Sequence, residues 1–290
     1  MTRLEFVDTH VHFYDMNHPE LIYGHWQLGV PHPTLGMQIQ KLAERNYIAE
    51  DYIEETKAFN VSKAVHVQAA IGSKDPVKET EWLQEAADRT GFPHGIVAYA
   101  DLKDPNIEKV LERHCESPNM RGIRDFSSGD YLEDPDFRRG FSLFEKYNLR
   151  ASMSVQWQDM EKLRDLAGNN PNVTVVVDHT GAPQERTKEY FDKWKQGIAT
   201  AAKADNTRIK ISGLAMGDQN WTVDSIRPWV LACIETFGVE RSFFATNWPV
   251  DWLWSSYQAV IDAYTEIVSG FSHEEQVALF SKNAEQIYDI

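Results

Sequence analysis

A chain of 290 residues is long enough to bury a large core and suits either one (β/α) barrel or two smaller domains. Its 44 acidic against 29 basic residues give a net charge of −15, which argues against binding nucleic acid or an anionic membrane surface through bulk electrostatics, so an anionic substrate must be met by local arginines. Cys115 and Cys233 match no metal or redox spacing, no signal peptide precedes the first strand, and no run approaches the ~18 apolar residues of a membrane span; the expectation is a cytoplasmic protein with reduced thiols.

In chain order, Phe6-Val7-Asp8-Thr9-His10-Val11-His12 reads as a short buried strand that ends on two histidines. Side chains two apart on a strand share a face, so His10 and His12 point the same way, as a chelating pair does. An irregular segment from Met16 to about Gly36 follows, with His18, Tyr23, His25, Trp26 and His32; long loops in compact folds are often functional, and this one is expected to be a lid or a wall of a substrate pocket. The other reading is a surface wrap whose aromatics merely pack.

From there strands and helices alternate. The pattern predicts a helix over 51–59 and a strand over 63–68, then a helix over 76–90 with Gly91 at its C-terminal cap and a strand over 94–99. Asp104-Pro105 opens a helix to about Cys115, before a strand over 120–124; Asp134-Pro135 opens a helix over 136–147, before a strand over 149–155. A helix over 159–167 leads into the apolar strand 172–177, and a long helix over 185–204 into the strand 208–212. A helix over 223–237 precedes the eighth strand, 242–246, and helices over 257–268 and 273–288 form the tail. With eight strand–helix units, no linker and no Gly-x-Gly-x-x-Gly or Walker loop, residues 1–290 read as one (β/α)8 TIM-barrel domain.

In such a barrel the C-terminal rim gathers His10 and His12, Gln68, Arg124, His179, and Asn247 with nearby Asp251. Three histidines and a carboxylate in one cleft can bind a divalent ion, which lowers the pKa of a bound water and polarises a carbonyl. Trp26, Trp157, Trp248, Trp252 and Trp254 suit a wall for a sugar-like or aromatic substrate, or else pack helices on the barrel. Lys210 reaches toward the rim or pairs structurally inside the barrel.

Together, Asp8-Thr9-His10-Val11-His12, Val67-Gln68-Ala69, Arg121-Gly122-Ile123-Arg124, Asp178-His179-Thr180-Gly181-Ala182-Pro183, Lys210-Ile211-Ser212-Gly213-Leu214 and Asn247-Trp248-Pro249-Val250-Asp251 carry a resemblance across nearly the whole chain. The sequence resembles the amidohydrolase superfamily, in the amidohydrolase-related branch that includes L-fuconolactonase, 4-sulfomuconolactone hydrolase and 2-pyrone-4,6-dicarboxylate lactonase. The resemblance implies a small-molecule hydrolase opening a lactone of a sugar acid or aromatic-degradation intermediate. It implies His10, His12 and His179 as metal ligands or carbonyl-polarising groups and Arg124 as a substrate contact; Gln68, from its place on the rim, and Trp26, from the loop after strand one, are expected to contact substrate too. It leaves open whether one divalent ion, zinc or manganese, is held or the site works without a metal. A homo-oligomer is compatible with it.

One departure bears on mechanism. Where the branch usually ends strand eight in Ser-Asp-Trp-Pro, with the aspartate as general base, this chain has Thr246-Asn247-Trp248-Pro249, and an amide takes no proton at neutral pH. Asp251 is one replacement, unless it caps a helix ahead of Trp252; His179 as base, with Asn247 orienting water or the leaving oxygen, is the other. A metal-assisted decarboxylase or hydratase, and a non-catalytic binding protein, are the rival readings.

Overall fold

In the computed structural model, which describes residues 3–26, 28–32 and 35–290, β1 (Phe6–Val11), β2 (Val61–Val67), β3 (Gly95–Tyr99), β4 (Met120–Arg124), β5 (Arg150–Met153), β6 (Val175–Val177), β7 (Thr207–Ile211) and β8 (Ser242–Phe244) form one parallel sheet in sequence order. The strands are short and almost wholly buried, as expected when helices cover the outer face and side chains fill the inside. The expected (β/α)8 TIM barrel is the observed fold.

Closure between β8 and β1 rests on a few strong contacts in place of a full ladder. Val11 bridges Trp248, with His12 N donating to Trp248 O at 2.7 Å and Trp248 N to His10 O at 3.2 Å. Below them the buried Asp8 carboxylate accepts from Thr246 N at 3.0 Å, Thr246 Oγ1 at 2.6 Å, Tyr257 OH at 3.0 Å and Tyr52 OH at 3.2 Å. Strict alternation would place Asp8 beside His10, but a register irregularity between Asp8 and Val11 turns it toward the helix layer. Asp8→Ala would strand these donors without partners, so urea unfolding should show a loss of about 3 kcal/mol; a loss under about 1 kcal/mol would contradict the closure role.

Local chemistry sets the helix ends. Asp134 accepts from Asp136 N and Phe137 N, with Pro135 in the first helical position of Pro135–Ser142, and Gly91 ends Val77–Thr90 with φ 84°. The helix expected over 136–147 stops at Ser142, and the helix expected over 273–288 is interrupted by a π-turn at Ala278–Lys282 between His273–Val277 and Asn283–Tyr288. That last segment packs Ala284, Ile287 and Tyr288 against Val7, Val65, Val97, Val176 and Phe243, plugging the N-terminal end of the barrel. Among the described residues no helix is long and apolar enough to cross a membrane. Cys115 is half-buried and Cys233 buried, both as free thiols.

Candidate active site

A cavity of about 350 Å³ opens at the C-terminal ends of the strands. Its lining includes His12 beyond β1, Gln68 beyond β2, Arg124 at the end of β4, Ser154 beyond β5, His179 beyond β6 and Asn247 beyond β8. His25, Trp26, His32 and Leu35 line it too, so the segment after β1 is a wall of the cavity; residues 27, 33 and 34 of that segment lie outside the described residues. Trp26 stands edge-on to His12 at 5.9 Å between ring centroids and stacks on Tyr23. Trp157, Trp248, Trp252 and Trp254 do not line the cavity; Trp248, for one, is fully buried and donates to Glu55 Oε2 at 3.0 Å.

The three histidines expected together do converge: ring centroids of His10 and His179 are 4.2 Å apart, and those of His10 and His12 are 5.0 Å apart. His10 lies under the cavity floor and is itself fully buried. Burial first, then neighbouring cationic and imidazole groups, pushes His10 and His179 well below the ordinary imidazole range and His12 down to about 3, so all three are neutral at pH 7. His12 Nδ1 donates to Val67 O at 2.8 Å, which puts the lone pair on Nε2, beside the Asn247 side chain. Arg124 can only donate, so its Nη2, 3.5 Å from His179 Nε2, fixes the proton of His179 on Nδ1, which faces Ser212 Oγ at 3.1 Å.

Backbone strain collects at the same strand ends. His179 (φ 53°), Thr180 (φ 59°) and Asn247 (φ 61°) all sit in the left-handed region, sparsely populated by residues with a Cβ. Gly213, at φ 63°, makes room for the His179 ring: a Cβ there would lie 2.7 Å from His179 Nδ1.

Two cations and one carboxylate lie beneath the imidazoles. Asp178 accepts from Ser152 Oγ at 2.5 Å and faces Lys210 Nζ at 3.2 Å and Arg124 Nε at 3.5 Å, with Asp178 and Lys210 fully buried. Burial alone would raise the Asp178 carboxyl, but Lys210 and Arg124 outweigh it and hold it at about 2. The acid paired with Arg124 is thus Asp178; the adjacent Asp125 instead accepts from Leu102 N and Ser127 N. Arg124 also donates to Ser154 Oγ at 2.5 Å and lies over the Phe126 ring. Gln68, 2% exposed, has no hydrogen-bond partner in the protein for either side-chain amide atom, so a cavity wall carries an unspent donor and acceptor.

At the β8 end Asn247 Nδ2 donates to Asp251 Oδ1 at 2.8 Å. Asp251 lies inside the short helical turn Val250–Leu253, so its side chain caps no helix. Burial raises its carboxyl to about 7, partly opposed by the Asn247 hydrogen bond.

The profile of the Amidohydrolase family (Amidohydro_2) matches residues 7–290. This chain belongs to that family. The amidohydrolase is 36% identical, over the whole of both chains, to the uncharacterized protein y4mH of Sinorhizobium fredii. It is 25% identical to an L-fucono-1,5-lactonase of Burkholderia ambifaria, across 84% of this chain and 80% of the other. Its fold matches an amidohydrolase of Burkholderia multivorans solved with bound zinc, at a TM-score of 0.84 and 22% identity over 99% of each chain.

Zinc in that relative raises the question of whether this amidohydrolase's residues fit an ion. As arranged, they do not. The Nδ1 of His10 faces the Lys210 ammonium at 3.5 Å, the Nε2 of His179 faces the Arg124 guanidinium at 3.5 Å, both carboxylate oxygens of Asp178 face donors or cations, and position 247 offers an amide. Among the described residues no three His, Cys, Asp or Glu side chains gather as a set that could hold a metal.

Proposed function

We propose that this amidohydrolase opens a lactone by adding activated water to the ring carbonyl. The observation that carries the reading is Asp251, a buried carboxyl poised at about 7 and bonded to Asn247 on the cavity lining. A general base works best with a pKa near the operating pH. His179 is a poorer candidate, since burial and Arg124 oppose its taking up a proton and Arg124 faces its Nε2. The lactonase named among the relatives supports the same chemistry.

In this reading Arg124 and Gln68 orient the substrate and its carbonyl oxygen, and Trp26 forms the wall against the ring. Asp251 Oδ1 is taken by Asn247, so Oδ2 accepts a proton from water held at the Asn247 end. The water oxygen bonds to the carbonyl carbon, the ring C–O bond then breaks, and the leaving alkoxide recovers the proton from Asp251, giving a hydroxy acid. Donors fixed around the developing oxyanion account for the stabilisation such a step needs.

A panel of aldonolactones and unsaturated lactones assayed by acid release tests this. At least one lactone should turn over, with kcat/KM falling about a hundredfold or more in Arg124→Met. A panel wholly inert to the wild type, or turnover indifferent to Arg124→Met, contradicts it.

A further inference from the structure

Lys210 is a fully buried cation on β7 with no part in the reaction just described. Its Nζ lies 3.2 Å from Asp178 Oδ1, 5.4 Å from the centre of the Tyr288 ring and 3.5 Å from His10 Nδ1. An ammonium has three donors and no acceptor, so the His10 nitrogen facing it must offer a lone pair. Asp178 Oδ1, at 3.9 Å from the same nitrogen, is too distant to take a proton from it. His10 Nε2 therefore carries the hydrogen, and that atom is buried with no partner in the protein.

The neighbouring imidazoles are spent differently. The N–H of His12 goes to Val67 O, and that of His179 faces Ser212 Oγ. Among these three rings only His10 keeps an unused N–H, and it is wedged against the two rings that line the cavity. A donor buried without a partner is unfavourable, and a ligand oxygen that reached the cavity floor between the His12 and His179 rings would remove that cost.

We propose that Lys210, anchored by Asp178, is a positioning residue that locks His10 in the Nε2–H tautomer, so that the strand-one pair consists of one donor, His10, and one acceptor, His12. This deepens the lactonase reading and rests on it for the identity of the oxygen: His10 donates to the carbonyl oxygen as it gains charge, while the His12 lone pair faces the attacking water. A donor and an acceptor side by side grip two oxygens of opposite need. They do not act as a chelating pair, and the mixed character is imposed from below by a residue that never touches the substrate.

The test reads the tautomer directly, by long-range 1H–15N correlation on protein labelled at histidine, with the His10 signals assigned through His10→Gln. Wild type should show Nε2 protonated and Nδ1 bare at His10 between pH 6 and 8. Lys210→Met should shift His10 toward the Nδ1–H form and lower kcat on the lactone found above about a hundredfold with KM changed less than threefold; Lys210→Arg, which keeps a donor, should preserve the wild-type tautomer. An Nδ1–H His10 in wild type, or the same tautomer in wild type and Lys210→Met, overturns the lock. Beyond the His10→Gln protein used for assignment, the wild-type spectrum needs no substrate and no altered Lys210, so a locked His10 in a protein inert to every lactone would sink the hydrolase reading alone, and an active enzyme with an unlocked His10 would sink the lock alone.

Discussion

Asp251→Asn is expected to lower kcat about a thousandfold while raising stability at pH 8. The carboxyl sits at about 7 in the folded protein against an ordinary 3.8, because burial disfavours its charge. The folded state therefore holds this proton more tightly than the unfolded chain does. Its favourable contribution is complete below about pH 4 and is lost as pH rises through about 7. At pH 8 the wild type carries a buried, partly compensated charge, and removing it should gain roughly 2–4 kcal/mol, or a rise in Tm of about 5 °C. An asparagine oxygen can still accept from Asn247 Nδ2, so that donor keeps its partner. At pH 4 the two proteins should melt together. For the same reason wild-type kcat should climb as pH increases through about 7. Equal melting at pH 8, or a kcat unaffected by the substitution, would show that Asp251 is neither strained nor the base.

The second large effect runs the other way. Asp178→Asn should cost about 3–5 kcal/mol in urea unfolding, because it leaves the buried Lys210 and Arg124 without their shared counter-charge. The folded carboxyl lies at about 2, below its ordinary value, so its contribution is present above about pH 4 and disappears as pH falls toward 2. The excess stability of wild type over Asp178→Asn should therefore shrink on acidification. A loss below 1 kcal/mol at pH 7 would mean that the two cations are solvated well enough to need no partner.

Much of this architecture was legible in the sequence because the relevant signals are periodic or local. Apolar strand runs, Asp134-Pro135 and Gly91 give the barrel units, and the two-residue spacing of His10 and His12 puts both on one face. Asp178 was hidden by the same rule of alternation. Neighbours on a strand face opposite ways, so choosing His179 as the inward residue sends Asp178 outward. In the structure β6 ends at Val177, and the left-handed conformations of His179 and Thr180 break the alternation so that both side chains reach the site. The Asp-His-Thr-Gly run signals such a turn only weakly. Lys210 was visible as a charge in an apolar strand, but its link to His10 spans 200 positions and depends on barrel closure. The tryptophans mislead for a different reason: large rings are as useful between helix and strand as on a cavity wall, and composition does not separate the two, so of five only Trp26 reaches the cavity. The π-turn at Ala278–Lys282 inserts one extra residue per turn into an otherwise helical pattern, which hydrophobic spacing over so short a stretch does not register.

The most direct measurement of the central claim is the mass of the product formed from the turned-over lactone in water enriched in oxygen-18. Addition of activated water to the ring carbonyl predicts a hydroxy acid heavier than the lactone by one labelled water, with the label in the carboxylate and carbon count unchanged. Release of carbon dioxide, or a product whose label sits on a carbon other than the carboxyl, would contradict it.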